Sequence, residues 1–393
     1  MSLTTGPNPS RAWTGVHLVA LAVPHAAGLV AYGWRALMAT LLVLGGTMLA
    51  WVVLRKAGRK GPLIDPLHAA WSSLLLAALL PAHLAGSGVP SPGGLEPTIL
   101  WPVLPATGLF LGLMLWLLGG RAGGRVSPAL ATYVILAFTL GGAVVPHLAL
   151  RREVAVTGDL LDYERRPIED LAGVTWLNRD APDGVDGRDP VDARYQAHAA
   201  DVLAAFTSGR DRPDRRRYSI ESVLRERMPP PEDLILIGHP SPIGMASAGA
   251  VIAAGMILFF RGVADARISA MVIASAYAAF AIAPVPRVLT PDGPIWAWPL
   301  VGGAGIPWDV GLTFVHYELL AGPILFAAVL VAPLPSLRPL SSGWRMVYAA
   351  LIGVAMAMTQ RYLDPTVGPL AALLLVSLLT PFMESWTRAR TLV

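Results

Sequence analysis

The sequence predicts an all-α integral membrane protein, with about ten transmembrane helices in two inverted five-helix halves and a polar extracytoplasmic insert. Three observations carry this. The 393 residues are 54% hydrophobic and only 14% charged, against roughly 25% charged in a soluble globular domain, and the mean hydropathy is +0.56. Residues 151–237 hold 18 of the 26 acids and 14 of the 30 bases, so that stretch cannot lie in hydrocarbon. The bases outside it are distributed unevenly between alternate loops, which fixes a sidedness.

Segments of about 20 apolar residues are long enough to cross a bilayer. In order they lie near Trp13 to Gly33, Ala36 to Leu54, Pro66 to Ala85, Pro97 to Leu118 and Pro128 to Leu150. After the insert come Ile243 to Phe260, Ile268 to Pro284, Val310 to Val331, Met346 to Gln360 and Val367 to Phe382. Tyr32-Gly33-Trp34 reads as a tight turn, and Pro24 and Pro323 are candidate kinks. The chain divides into residues 1–150 (first membrane half), 151–237 (insert) and 238–393 (second half). No small-residue cleavage site follows the first apolar run, which reads as a retained helix.

With the N-terminus inside, the inner short loops carry thirteen bases, from Arg11 and Lys56 to Arg388 and Arg390. The outer short loops carry three, Arg35, Arg287 and Arg361. Positive loops face the cytoplasm. The expectation is a multi-pass protein of the cytoplasmic membrane with both termini cytoplasmic and the insert outside; long loops translocate largely regardless of charge. Within the insert, Pro190 to Phe206 reads as an amphipathic helix whose face, Val191, Tyr195, Ala199, Val202 and Phe206, packs the insert against itself. DAPDGVDGRDP reads as loop, and Arg215-Arg216-Arg217 as a solvated patch.

Two halves with an odd number of spans insert in opposite senses, as in an inverted repeat around a midplane site. DPLHAAWSSLLLAALLPA and DVGLTFVHYELLAGPILFAAVL, the third span of each half, each open on an Asp and place a His one or two turns in. Ionisable groups inside spans are functional candidates because a charge there costs several kcal/mol. Asp65 and His68 in one half, and Asp309, His316 and Glu318 in the other, are therefore candidates for an ion or proton path. The alternative for each histidine is a hydrogen bond to a helix carbonyl.

Zero cysteines exclude disulfides, Cys-ligated iron-sulfur clusters, thiol catalysis and covalent c-type haem. His17 and His25 are eight apart, two turns, too far to ligate one haem iron together. No metal-ligand spacing, phosphate-binding Gly loop or Ser-His-Asp set occurs. Trp296, Trp298 and Trp308 read as interfacial belt anchors, with a flavin-stacking surface as the alternative.

From Leu234 the chain reads LILIGHPSPIGMASAGAVIAAGMILFFRGVADARI, which resembles the family of membrane subunits shared by the Rnf complex (its D component) and the sodium-pumping NADH:quinone oxidoreductase (its B component). SSLLLAALLPA (Ser72 to Ala82), VSPALATYVILAF (Val126 to Phe138), VHYELLAGPILFAA (Val315 to Ala328) and GPLAALLLVSLLTPFMESWTR (Gly368 to Arg388) match further family segments in the same order. The resemblance implies about ten helices in two related halves, an electron-transfer role, and FMN joined through its phosphate to a hydroxyl on the outer side. The acceptor position falls on Ser222, with Ser219 nearby. Gly238, Ser241 and Gly244 fall in the family's Gly-Ser-x-Gly segment. The sequence departs from the family at several places: the family's Glu is Met245, the Ser place is Pro242, the small pair before the acceptor is Ile220-Glu221, the Gly-rich, Asn-containing inner turn is reduced to GGRAGGRVSP, and the Thr-Asp after the eighth span is Ala332-Pro333.

The expected function is a membrane electron-transfer subunit of an oxidoreductase complex, holding FMN and passing electrons to membrane and extracytoplasmic partner subunits, with ion movement coupled to it. Two alternatives share the fold. One is a transporter or channel for small solutes or ions; the other is an accessory subunit without a cofactor that docks partners through the insert.

Overall fold

The computed structural model describes residues 9–57, 65–85, 87–89, 98–99, 101–118, 126–140, 199–208, 218–226, 228–236, 241–290, 293–300 and 306–391. Most of the insert lies outside them, including residues 190–198 of its expected amphipathic helix, the loop DAPDGVDGRDP and Arg215-Arg216-Arg217.

In the first half, α1 (Pro9–Tyr32), α2 (Trp34–Lys56), α3 (Pro66–Leu79), α4 (Val103–Leu118) and α5 (Pro128–Leu140) follow one another, with a short strand pair β1 (Ser87–Val89) and β2 (Thr98–Ile99) before α4. Gly33, at φ 59°, makes the turn between α1 and α2 in the left-handed region that glycine adopts without strain. α1 runs through Pro24 without ending. Asp65 caps α3 by accepting the Leu67 N–H at 3.1 Å, ahead of Pro66 at the first helical position.

The described parts of the insert form α6 (Ala199–Thr207), β3 (Tyr218–Ser219), α7 (Ile220–Glu226) and α8 (Pro231–Ile235). The second half contains α9 (Ala248–Phe260), α10 (Ala266–Ile282), a hairpin of β4 (Val285–Thr290) and β5 (Gly293–Ala297), α11 (Trp308–Ala321), α12 (Ile324–Phe326) continuing as a π-helical turn over Ala327–Val331, α13 (Ser342–Tyr362), α14 (Val367–Leu378) and α15 (Thr380–Thr391). A helix thus occupies each of the ten apolar stretches. By length and composition three described segments suffice to cross a membrane, Trp13–Tyr32, Trp34–Lys56 and Val367–Ser385. A fourth is the pair α11 and α12, bent by 62°. The bend falls at Gly322-Pro323, where proline cannot continue the ladder.

In each half the second helix is packed against a later one, α2 on α4 and α10 on α13. Small residues make both seams close: an added Cβ on Gly46 would strike the Pro105 carbonyl, and one on Gly353 the Ser275 hydroxyl. Without a hydrophobic drive between helices in lipid, such backbone approach supplies the association energy. Between the halves α1 touches α9, and α5 touches α14.

The seam between halves is residues 241–247, an irregular segment with one 3-10 turn at Ile243–Met245 and every residue buried. Non-helical backbone at such depth needs protein partners for its polar groups. The Tyr32 hydroxyl donates to the Ser241 carbonyl at 2.7 Å and accepts the Ser241 N–H at 2.8 Å. The Ile243 N–H donates to the Leu80 carbonyl at 3.0 Å. Ser247 then caps α9, accepting the Ala250 N–H at 3.0 Å.

The described parts of the insert are packed both on themselves and on the second half: Ile220, Val223, Met228 and Leu234 of the insert lie in one buried cluster with α6. Ala199, Val202, Leu203 and Phe206 of α6 share one buried cluster with Val285, Leu289, Phe314 and Tyr317. β3 pairs antiparallel with β4, Tyr218 opposite Leu289. The expected apolar face is present on α6, and beyond the insert's own Ile220, Val223, Met228 and Leu234 it also covers α11 and the hairpin.

A Cβ at Gly244 would lie 2.5 Å from Ala78 Cβ and 3.0 Å from the Phe326 ring. Gly244→Ala is expected to lower the thermal unfolding midpoint of detergent-solubilised protein. Gly15→Ala, where an added Cβ meets nothing, should leave it unchanged or raise it through helix propensity, worth up to about 1 kcal/mol.

Candidate functional site

The residues singled out from the sequence fall at three places. Ser219 and Ser222 stand at the junction of β3 and α7, where they cap one another. The Ser219 N–H donates to Ser222 Oγ at 3.2 Å, the Ser222 N–H donates to Ser219 Oγ at 3.2 Å, and Ser222 Oγ donates to the Ser219 carbonyl at 2.8 Å. This is the reciprocal logic of a capping box with Ser at its third position. Ser241 and Gly244 lie in the buried seam, about the Tyr32 hydroxyl and against Ala78. Gly238 lies outside the described residues.

The path candidates are dispersed. His68 stacks 5.2 Å from Trp71, which also neighbours Trp13 and His17. His316 is exposed, its ring 5.6 Å from Tyr277. Asp309 is exposed in the first turn of α11. His17 and His25 place Nδ1 at 3.1 and 2.9 Å from the carbonyls four residues earlier, Trp13 and Leu21, the ordinary resting place of a helix histidine. Among the described residues no group of three or more His, Asp and Glu gathers to hold a metal.

Glu318 is different. It lies on α11 one turn before the bend, 2% exposed, and faces Arg361 near the end of α13, also 2% exposed. Arg361 Nε donates to Glu318 Oε1 at 2.8 Å and Nη2 donates to Oε2, a bidentate pair. The same guanidinium reaches two carbonyls at the end of α10, Ala283 at 2.6 Å and Phe280 at 2.9 Å, and lies over the Phe280 ring at 5.0 Å. Beside it Gln360 Nε2 donates to the Glu318 carbonyl at 2.5 Å, while its Oε1 is buried without a hydrogen-bond partner. Gly322 leaves the space for that amide, since an added Cβ would strike it. Both Glu318 oxygens are engaged, so in this arrangement the carboxylate acts as a clamp.

At the same end of the bundle Thr207 Oγ1 donates to the Arg361 carbonyl at 3.2 Å. Asp364, in the turn after α13, accepts the N–H groups of Thr366 at 2.9 Å and Val367 at 2.6 Å. Asp201, in the first turn of α6, interacts with Asp364, and Tyr133 on α5 is in electrostatic reach of both. Burial first, and then the Asp364 carboxylate, push the Asp201 pKa from 3.8 up to about 7. At the opposite end Asp265 pairs with Arg338 at 3.7 Å and Arg345 at 3.6 Å.

The NQR2, RnfD, RnfE family model matches residues 8–392, nearly the whole chain. The chain belongs to this family. No individual curated protein matches it. Members of the family are components of multi-subunit Rnf and Nqr complexes in membranes, and the apolar helices of this member agree with a membrane setting.

Sequence reasoning missed Arg361, Gln360, Asp201 and Tyr32 in this family member. Arg361 was assigned to an outer short loop, yet it closes α13 and points inward. One signal was available: a Glu in the middle of an apolar span is stabilised in its charged form by a buried cation, and Arg361 is one of three bases, with Arg35 and Arg287, that the sequence puts in the base-poor set of short loops. Tyr32 and Gln360 gave no such signal.

Removing one partner of a buried ion pair costs about 3–5 kcal/mol. Arg361→Ala is therefore expected to lower the unfolding midpoint steeply, and more than the double change Glu318→Leu with Arg361→Met, which leaves no unpaired charge. Asp201 binds its proton more tightly in the folded than in the unfolded chain. Its contribution is full below about pH 4 and is lost as pH rises through about 7. Insert docking, read as protease resistance of the 199–236 region, should weaken over that window, and Asp201→Asn should flatten the dependence.

Proposed function

We propose that this chain is an electron-transfer component of a membrane complex, made of two inverted five-helix halves, that holds a flavin and passes electrons to partner subunits, with ion movement coupled to the transfer. The observation that carries the reading is the family match over residues 8–392. The layout of two halves is supported by the parallel packing of α2 on α4 and α10 on α13, and by contact of α1 with α9 and of α5 with α14. A two-fold axis brings equivalent elements together in this way.

The site for a covalent flavin fits poorly. Ser222 Oγ donates to the Ser219 carbonyl, and a phosphoester would remove that proton and break the cap. Glu221, exposed next to it, adds a negative charge beside a phosphate. No step of electron transfer is derived through Ser222; the flavin, when bound, would supply the one-electron chemistry and the chain its position and surroundings.

A second reading, an ion or solute pathway with the same fold, is favoured by the 62° break of α11 and α12 with Glu318 one turn before it. Broken helices with ionisable groups mark binding sites in transporters. The insert would dock extracytoplasmic partners in either reading.

Purified full-length protein is expected to show flavin absorbance, with no fluorescence at its band in a denaturing gel. Colourless protein would defeat the electron-carrier reading. A fluorescent band abolished by Ser222→Ala would instead place the ester at Ser222, against the fit described above.

A further inference from the structure

The β4–β5 hairpin has two unlike strands, β4 largely buried and β5 largely exposed. Val285 and Ala297, paired across it, are both at 0% exposure. Val285 belongs to the cluster beneath the insert, together with Leu289. On β5 Pro294, Ile295 and Trp296 are exposed in succession, and Trp298 is exposed just past the strand. Ile295 stands 55% exposed, Trp298 48% and Trp308, at the start of α11, 64%.

This apolar surface does not end at the hairpin. Ile282 at the end of α10 and Leu363 just past the end of α13 are exposed as well. Tyr362 donates its hydroxyl to the Pro284 carbonyl at 2.8 Å, joining the end of α13 to the start of the hairpin. The patch is thus continuous with the ends of the apolar helices. Among the described residues it is mainly indole, phenol and aliphatic, with one exposed cation, Arg287 on β4, and one exposed carboxylate, Asp309 beside Trp308. Trp and Tyr concentrate where one end of a ring is in hydrocarbon and the other is wet. Contiguous exposed apolar surface of this kind marks an interaction site.

We propose that the hairpin lies in the headgroup region of the outer leaflet, with Ile295, Trp296, Trp298 and Trp308 in the lipid interface and Arg287 at the phosphate level, so that the insert rests on the membrane through this sheet. Three observations favour lipid over a partner protein. The patch continues the exposed apolar helix ends, its rings are of the interfacial type, and the β4 strand of the hairpin is already covered by the insert. β4 is paired on both edges, by β3 and by β5, while β5 is the edge strand, and its outer backbone groups can be satisfied by water and headgroups in the interface, as they could not be in the hydrocarbon core.

The chain has no cysteine, so a single introduced one reports alone. Ile295→Cys, Trp298→Cys and, as the water-facing control, Glu221→Cys, each in the full-length chain, would carry a nitroxide label in vesicles of phosphatidylcholine and phosphatidylglycerol. Collision rates with oxygen and with a water-soluble nickel chelate are then measured. The expected result is a nickel-to-oxygen ratio several-fold lower at 295 and 298 than at 221. An equal ratio at all three sites would overturn the proposal by placing the hairpin in water. Protection from both reagents in native membranes, combined with full nickel access in vesicles, would overturn it in favour of a protein partner. Should Trp298→Cys loosen the hairpin, seen as a lowered unfolding midpoint, Ile295→Cys gives the same reading alone.

Discussion

In hydrocarbon no water satisfies the carbonyls at a helix end, and the second membrane half meets this constraint with one side chain. Arg361 reaches from α13 to the last carbonyls of α10 and to the carboxylate of Glu318 on α11. Three helices are joined at one guanidinium, whose planar donor fork suits two acceptor types at once. Gln360 extends the same role to the Glu318 carbonyl, just before the helix breaks at Gly322-Pro323. The break and the ion pair belong together: bending α11 frees backbone groups, and the polar cluster is what satisfies them. The Thr207 bond to the Arg361 carbonyl carries the connection outward to the insert.

The seam at 241–247 solves the same problem without charge. Tyr32 turns one hydroxyl into both donor and acceptor for Ser241, and Leu80 supplies a carbonyl to Ile243. The segment carrying the strongest family likeness is therefore also where α1, α3 and α9 meet. Ser241 and Gly244, singled out for a cofactor by resemblance, lie among packed protein groups, with the small size of Gly244 required by Ala78 and Phe326.

Apolar runs and turn residues made the helices legible in the sequence: Asp65-Pro66 opens α3, Ser247 opens α9, and Pro323 breaks the long run after Trp308, each through local backbone chemistry. The family was legible from ordered short motifs. The clamp was not, because Arg361 and Glu318 are 43 positions apart and periodicity is blind to pairing at that range. That the α6 face also covers α11 and the hairpin was not legible for the same reason: an amphipathic pattern says that one side is covered, not by everything that covers it. His68 and His316, matched by their place in the two halves, have different surroundings, Trp71 and Tyr277 respectively, since ring neighbours depend on tertiary packing.

The pairing of Tyr218 with Leu289 sets an order on biogenesis. The first strand of the sheet leaves the ribosome before α9 and α10, and its partner only after them. The β3 edge of the insert therefore waits without its partner while two more apolar helices are made, and the sheet closes late. A chain cut short before Val285 would hold α6, β3 and α7 without the strand that pairs with Tyr218 and Ser219, so this part of the sheet depends on sequence made after α10.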